Sequence, residues 1–420
     1  MSENPRNDPY AALRIPSFRF YVSAGAFALV GQQIQSVAIG WDLYRKTGDP
    51  LVLGWVGLLQ AIPLIALAIP AGQLADRYDR RIVLMISQIA SVMTSIGLIA
   101  CAMNDADISA YYTLLFLDAV ANAIGWPARS SIIPALVPLD KLANAVTWNS
   151  SFFQFAAVIG PAIGGFIVAK SVTAAYVCDF SVGVWYVICL LFIRTKKHQV
   201  SSEPVSIKSL LGGLHFVFRQ RIILATLTLD LFAVLLGGAV YLLAPVAKDI
   251  LHVDAHGFGM LRAAPAVGAI CMGLTLTHLP PMKRAGRAML WAVAGFGVVT
   301  IVFGLSRSFW ICLIALFMTG VFDNISVVIR HTLVQVLTPD EMRGRVSAVN
   351  AVFIGASNEL GGFESGLTAR LFGVTTSIIA GGVGTLLVVL GVNRAFPQVR
   401  ALGALHDVKA LEETAEDSPA

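Results

Sequence analysis

The chain has 420 residues, 56% of them hydrophobic and only 13% charged, and its mean hydropathy is +0.75. That is far more apolar surface than a soluble core uses, so the chain reads as a membrane protein. Its net charge of +5 does not mark a nucleic-acid partner, because the Lys and Arg residues are dispersed among loops instead of gathered on one face.

A bilayer core about 30 Å thick is crossed by roughly 20 apolar residues of helix. In chain order the pattern predicts twelve such spans, at 17–44, 50–75, 82–104, 108–135, 141–168, 172–194, 222–247, 256–279, 286–305, 309–336, 344–369 and 373–395. The runs are too long and too uniformly apolar for alternating barrel strands, which leaves helices as the spanning element. The N-terminus begins polar and has no short apolar core followed by a small-residue cleavage site, so no cleaved signal peptide is expected. Cys101, Cys178, Cys189, Cys271 and Cys312 are odd in number and lack metal-ligand spacing, so they read as small packing residues.

Twelve spans place both termini on one side. When loops are assigned to alternate sides, only Arg45, Lys46, Lys170, Lys248, Arg307 and Arg370 fall on the other, so the positive-inside rule makes both termini cytoplasmic. The longest connector follows Arg194 and divides the chain into similar halves. A shift of 201 residues superposes Arg129 on Arg330, Pro138 on Pro339, Asn149 on Asn350, Gly72 on Gly273, Gly160 on Gly361 and Gly165 on Gly366, which implies a duplicated six-helix unit. The expected organisation is a cytoplasmic segment 1–16, a six-helix bundle 17–194, a cytoplasmic linker 195–221, a second bundle 222–395, and a cytoplasmic tail 396–420, disordered toward its end.

Between spans two and three, "GQLADRYDRR" carries Gly72, Asp76, Arg77, Arg80 and Arg81. This stretch resembles the signature loop of the major facilitator superfamily, with Asp79 standing where that pattern usually has glycine. Together with "AIGWDLYRKTGDPLVLG", "WPARSSIIPALVP", "GPAIGG" and "TPDEMRGRVSAVN", it makes the chain similar to the enterobactin-exporter-like, drug-efflux branch over about residues 15–395. The resemblance implies an all-α fold of twelve transmembrane helices in two pseudo-twofold-related bundles. It also implies that Asp76 pairs with Arg129 at the cytoplasmic end of span four, forming a latch with Arg77, Arg80 and Arg81. The second-half counterpart keeps Gly273 but has Thr277 in place of the aspartate, so any latch is asymmetric. "GPAIGG" (Gly160, Pro161, Gly164, Gly165) resembles the antiporter motif of the superfamily. Physically, its proline removes one backbone hydrogen bond and its glycines permit close helix approach.

Ionisable groups at bilayer depth are costly and therefore functional candidates: Asp118, Asp179, Asp230, Asp323, Glu359 and Glu364. The superfamily fold lines its central cavity with spans one, four, seven and ten, so the resemblance favours Asp118, Asp230 and Asp323, the last beside Asn324. Desolvated carboxylates of this kind can take up and release protons as their surroundings change. Gln32, Gln33 and Gln35 form a polar patch in span one that can contact substrate, and Arg330, the repeat-mate of Arg129, is a second gating candidate. The expected activity is proton-coupled export of amphipathic molecules such as drugs or siderophores by alternating access, in a monomer of the inner membrane whose partners are substrate, protons and lipid. The alternatives are an uptake symporter on the same fold or a non-transporting scaffold. An intramembrane enzyme is disfavoured by the lack of a GxSxG elbow or HExxH pair, and no cofactor is implied. Asp76→Asn or Arg129→Ala is expected to impair transport while membrane insertion is unchanged; normal flux through both purified variants would remove the latch.

Overall fold

A computed structural model of the protein describes residues 8–193, 207–280, 282–339 and 342–403. Among these residues the regular structure is helical: α1 Pro16–Thr47, α2 Leu51–Arg77, α3 Arg80–Met103, α4 Ile108–Ser131, α5 Leu142–Lys170, α6 Val172–Phe192, α7 Ile207–Arg219, α8 Arg221–Leu236, α9 Ala255–His278, α10 Ala285–Leu305, α11 Phe309–Leu337, α12 Arg343–Phe372, α13 Val374–Ala395 and α14 Pro397–Ala401. Local signals place several ends. Asp79 caps α3 by accepting from the Arg81 amide, Ser171 caps α6 through Ala174, and Asp254 caps α9 through Gly257. Gly48 and Gly373 turn the chain between successive helices with φ of 65° and 89°, a region that favours glycine.

Among the described residues, eleven helical stretches are long and apolar enough to cross a membrane. The expected span at 344–369 forms as α12, a helix of 30 residues, but Asn358, Glu359, Glu364 and Arg370 make it more polar than the others. It packs against α8 and α13, where Glu359 and Glu364 lie half-buried while Asn358 and Arg370 are exposed. Large side chains such as Trp291, Met93, Phe192 and Leu387 lie exposed, as lipid-facing surfaces require.

Contacts cluster the chain into two compact units, Met1–Ile39 with Ala66–Val205 and Gly40–Ile65 with Ser206–Ala420. These differ from the sequence halves at the α1–α2 hairpin, whose residues 40–65 belong to the second unit. In the first unit α3 packs on α4 and α6, around a core that includes Phe18, Leu84, Ile132, Tyr186 and Leu190. In the second, α9 packs on α11 and α10 on α11 and α13, around Ile223, Met289, Leu333, Val346 and Val399.

The structure departs from the expected organisation at four places. The linker 195–221 contains α7, and its Val217 is buried in the second core, because an apolar face beside that core gains contact by folding onto it. The tail from 396 likewise begins as structure: α14 buries Val399, Leu402 is buried, and the Gly403 carbonyl accepts from the Ala285 amide at 3.0 Å. Its end, 404–420, and most of the linker's first part lie outside the described residues. At the N-terminus, the Pro9 carbonyl accepts from Asn144 Nδ2 at 2.8 Å and Trp148 Nε1 at 2.9 Å, strapping the segment to α5. Finally, span seven is not one helix. α8 stops at Leu236, followed by Gly237 and Gly238, a 3₁₀ turn at Ala239–Leu242 and a π turn at Val246–Ile250. The paired glycines weaken the helix there, and Pro245 has no amide to donate.

The charged loop after α2 ties helix ends together. Arg80 Nη1 donates to the Ser131 carbonyl at 2.9 Å, while Arg81 Nε and Nη2 donate to Leu190 and Leu191 carbonyls, both at 2.7 Å. Those carbonyls lie in the last turn of α6, where the helix ladder runs out and a cation is favoured. Arg81→Ala is expected to cost about 2 kcal/mol by removing two charge-assisted bonds at a half-exposed site. The thermal unfolding midpoint in detergent should fall by several degrees, whereas Arg77→Ala, at an exposed position, should leave it unchanged.

Candidate functional site

The first unit encloses a cavity of about 370 Å³. α1 contributes Tyr21, Gln32 and Gln35; α3 contributes Gln88, Ser91 and Ser95; α4 contributes Asp118, Asn122, Trp126 and Arg129; α5 contributes Asn149 and Phe152; α6 contributes Asp179 and Tyr186. The polar groups at its wall are organised by α3. Ser91 and Ser95, one turn apart and so on one face, each donate to a carboxylate from a different helix: Ser91 Oγ to Asp118 at 2.5 Å and Ser95 Oγ to Asp179 at 2.7 Å. Asp118 also accepts from Asn122 Nδ2 at 3.0 Å and Thr94 Oγ1 at 3.2 Å. The two aspartates are close enough to interact electrostatically. Gly31 makes room for the second, since a Cβ there would come within 3.1 Å of Asp179 Oδ1.

Arg129 reaches the same cavity. Tyr21 donates its hydroxyl to the Arg129 carbonyl at 3.1 Å, and the arginine's Nε is buried with no hydrogen-bond partner. The cavity therefore offers two carboxylates, one guanidinium, three glutamines and aromatic walls, which suits a ligand with an apolar body and polar or charged substituents. Of the expected α1 patch, Gln32 and Gln35 line this space. Gln33 instead packs its Cβ where a side chain on Gly160 would sit. Gly160, Pro161, Gly164 and Gly165 are buried in a continuous α5, and Gly164 brings that helix within 3.1 Å of Ile34 Cα, measured from an added Cβ. Their packing partner is thus α1 of the same unit. Gly72 and Asp76 lie half-buried near the end of α2, with Arg77 exposed.

In the second unit Asp230 of α8 forms an ion pair with Arg330 of α11, and both are buried. Sequence reasoning offered Asp230 as a proton or substrate site and Arg330 as a gate; the structure commits each to the other. Asp323 lies exposed on α11, near enough to feel both partners of that pair, and Asn324 beside it has a buried Oδ1 with no partner. Asp118 alone of the three favoured carboxylates lines the cavity of the first unit. Asp179 and Glu359, which the resemblance does not favour, are placed by the structure against Ser95 and Tyr241. The signal available for Asp179 was the Ser91/Ser95 spacing, which marks a hydrogen-bonding face on α3.

The profile of a family described as "transmembrane secretion effector" matches residues 7–414. The enterobactin exporter EntS of Shigella flexneri is 24% identical over 376 residues, covering 89% of this chain and 90% of that protein. EntS of Citrobacter koseri is 26% identical over 391 residues, covering 91% and 94%. Among solved structures, a bacterial homolog of the human lysosomal transporter Spinster, inward-facing and occupied, superposes with a TM-score of 0.73 at 13% identity, covering 94% of this chain and 99% of that one. A D-xylose–proton symporter superposes at 0.68 with 11% identity, covering 93% and 98%.

The buried pair yields a stability test. Arg330→Met leaves Asp230 as a buried, unpaired carboxylate and is expected to cost about 3–5 kcal/mol, while Arg330→Met combined with Asp230→Leu costs much less than the two singles together. A double-mutant cycle on thermal unfolding in detergent measures the coupling, and additive effects would mean the pair contributes nothing.

Proposed function

The chain belongs to the transmembrane secretion effector family of the major facilitator superfamily, and from that membership we propose that it exports amphipathic small molecules in exchange for protons. Its class is thus that of a multi-pass secondary transporter, not an enzyme. The observation that carries the finer reading is the cavity of the first unit, with Asp118 and Asp179 held by serines of α3 opposite aromatic side chains.

A carboxylate surrounded by hydroxyl and amide groups changes protonation with little rearrangement, because a hydroxyl donates to the anion and can equally accept from the acid. With Asp118 and Asp179 charged, the cavity attracts a cationic or hydrogen-bonding amphipath; with one protonated, it releases it. Two carboxylates against one guanidinium favour cationic amphipaths, while Arg129, with its unpartnered Nε, supports catecholate-like groups as the competing ligand class. The export direction is supported by the exporter relatives and by the "GPAIGG" stretch, and the loop charges support cytoplasmic termini in an inner membrane. Gln32 and Gln35 contact substrate in this reading, Asp76 and Arg129 latch the cytoplasmic end, and the protein works as a monomer by alternating access.

Inside-out membrane vesicles with an acidified lumen test it. Addition of a transported compound should release luminal protons, read as recovery of a quenched pH-sensitive dye, and panels of cationic amphipaths and of catecholates separate the two ligand classes. Asp118→Asn should reduce the recovery by about tenfold or more, corresponding to roughly 1.4 kcal/mol of lost interaction. Flux that ignores the pH gradient, or recovery unchanged in Asp118→Asn, overturns the reading.

A further inference from the structure

A further carboxylate, half-buried and remote in sequence from the cavity, sits where helices touch without side chains between them. Glu359 lies within α12, and its Oε2 accepts the hydroxyl of Tyr241 at 3.1 Å. Tyr241 belongs to the 3₁₀ turn that follows the Gly237–Gly238 break, so the interruption of span seven is what delivers this hydroxyl. The ring is seated on Gly362, where an added Cβ would come within 2.7 Å of it. Arg262 of α9 lies close enough to interact electrostatically with both Glu359 and Tyr241.

The backbone of the same turn of α12 carries the α1–α2 hairpin of its own unit. A Cβ on Gly57 of α2 would lie 2.6 Å from the Glu359 carbonyl oxygen, and one on Gly54 would lie 3.2 Å from the Phe363 carbonyl oxygen and 3.3 Å from Gly366 Cα. Trp55 packs edge-on against Phe363, with ring centroids 5.4 Å apart. With no side chain between Gly57 and the Glu359 peptide, a shift of that turn has nowhere to be absorbed and is passed to α2.

We propose that Glu359 is a proton-carrying residue whose protonation state sets how firmly α12 holds the hairpin 40–65, an inference that rests on the proton-coupled reading above. Charged, Glu359 is drawn to Arg262 and held by Tyr241, which keeps α9, the broken segment and α12 together under Gly57. Protonated, it no longer attracts Arg262, and the α12 turn is free to move with α2. The titratable groups facing it are Tyr241 from the broken segment and Arg262 from α9, whereas the α2 stretch 54–57 carries none. The step is a plain proton transfer to a carboxylate oxygen, with charge balanced by the proton alone. It also accounts for a glutamate in a span otherwise expected to be apolar.

Spin labels on cysteines placed at Ile62 of α2 and Leu371 of α12, both exposed, report the distance between these helices in a background lacking the native cysteines. In reconstituted protein the distance should lengthen by more than about 2 Å between pH 8 and pH 5, a shift of the size of functional rearrangements. Glu359→Gln should give the long distance at both pH values, and Glu359→Asp should restore a pH response, which a purely structural role for the side chain would not. A parental distance that ignores pH, or a Glu359→Gln variant that follows the parent, overturns the assignment. Because the vesicle flux experiment decides proton coupling separately, intact pH-driven flux beside such a result sinks Glu359 alone.

Discussion

The constraint on which the rest of this structure depends is that a charge inside a lipid-embedded helix bundle must be given partners by the protein. The chain meets it in three ways. Asp118 and Asp179 are surrounded by hydroxyls and an amide, Asp230 is neutralised by Arg330, and Glu359 is held by a phenol with an arginine nearby. These solutions differ in what a proton does to them. Removing charge from a buried ion pair strands its partner, so Asp230 and Arg330 act as a fixed brace. A carboxylate ringed by hydroxyls can be neutralised with its hydrogen bonds kept, which is why the proposed proton sites are Asp118 and Asp179. Glu359 is intermediate: its hydroxyl partner tolerates a proton, and its electrostatic partner does not.

Close helix contact is the second theme. Lipid tails give helices no hydrophobic reason to associate, so contact comes from fit, and fit comes from small residues. Gly160 and Gly164 let α5 lie on Gln33, Ile34 and Val37 of α1, while Gly54, Gly57 and Gly366 let α2 lie on the backbone of α12. One device serves different ends. On α5 it shapes the helices around a cavity, and on α12 it sets the backbone beside Glu359 directly against a neighbouring helix.

Irregular backbone in this chain occurs where protein can satisfy it. Span seven breaks at Gly237–Gly238, and the resulting 3₁₀ turn presents Tyr241 to Glu359 instead of to lipid. The arginines after α2 follow the same accounting of hydrogen bonds: Arg80 and Arg81 supply donors to carbonyls at the ends of α4 and α6. Their positive charge also fits a cytoplasmic loop, so one set of residues meets both a topological and a structural demand.

Hydropathy alone determined that the chain is a bundle of spanning helices, because a run of about 20 apolar residues has few other stable states. The glycine and charge motifs carried the resemblance to the superfamily, and the rarity of acids in spans marked Asp118, Asp179, Asp230, Asp323, Glu359 and Glu364 as a short list. What the linear pattern did not contain was which acid meets which partner. A helix has no strong preference for facing one neighbour until side chains interlock, so the pairing of Asp230 with Arg330 and the seating of Asp179 on Ser95 were decided only in three dimensions. The same holds for α7 and the start of the tail, whose short segments read as connectors until a nearby core received Val217, Val399 and Leu402. Local pattern sets what each segment can be, and tertiary packing chooses its partners, because burial and hydrogen bonding depend on what other segments bring to the same place.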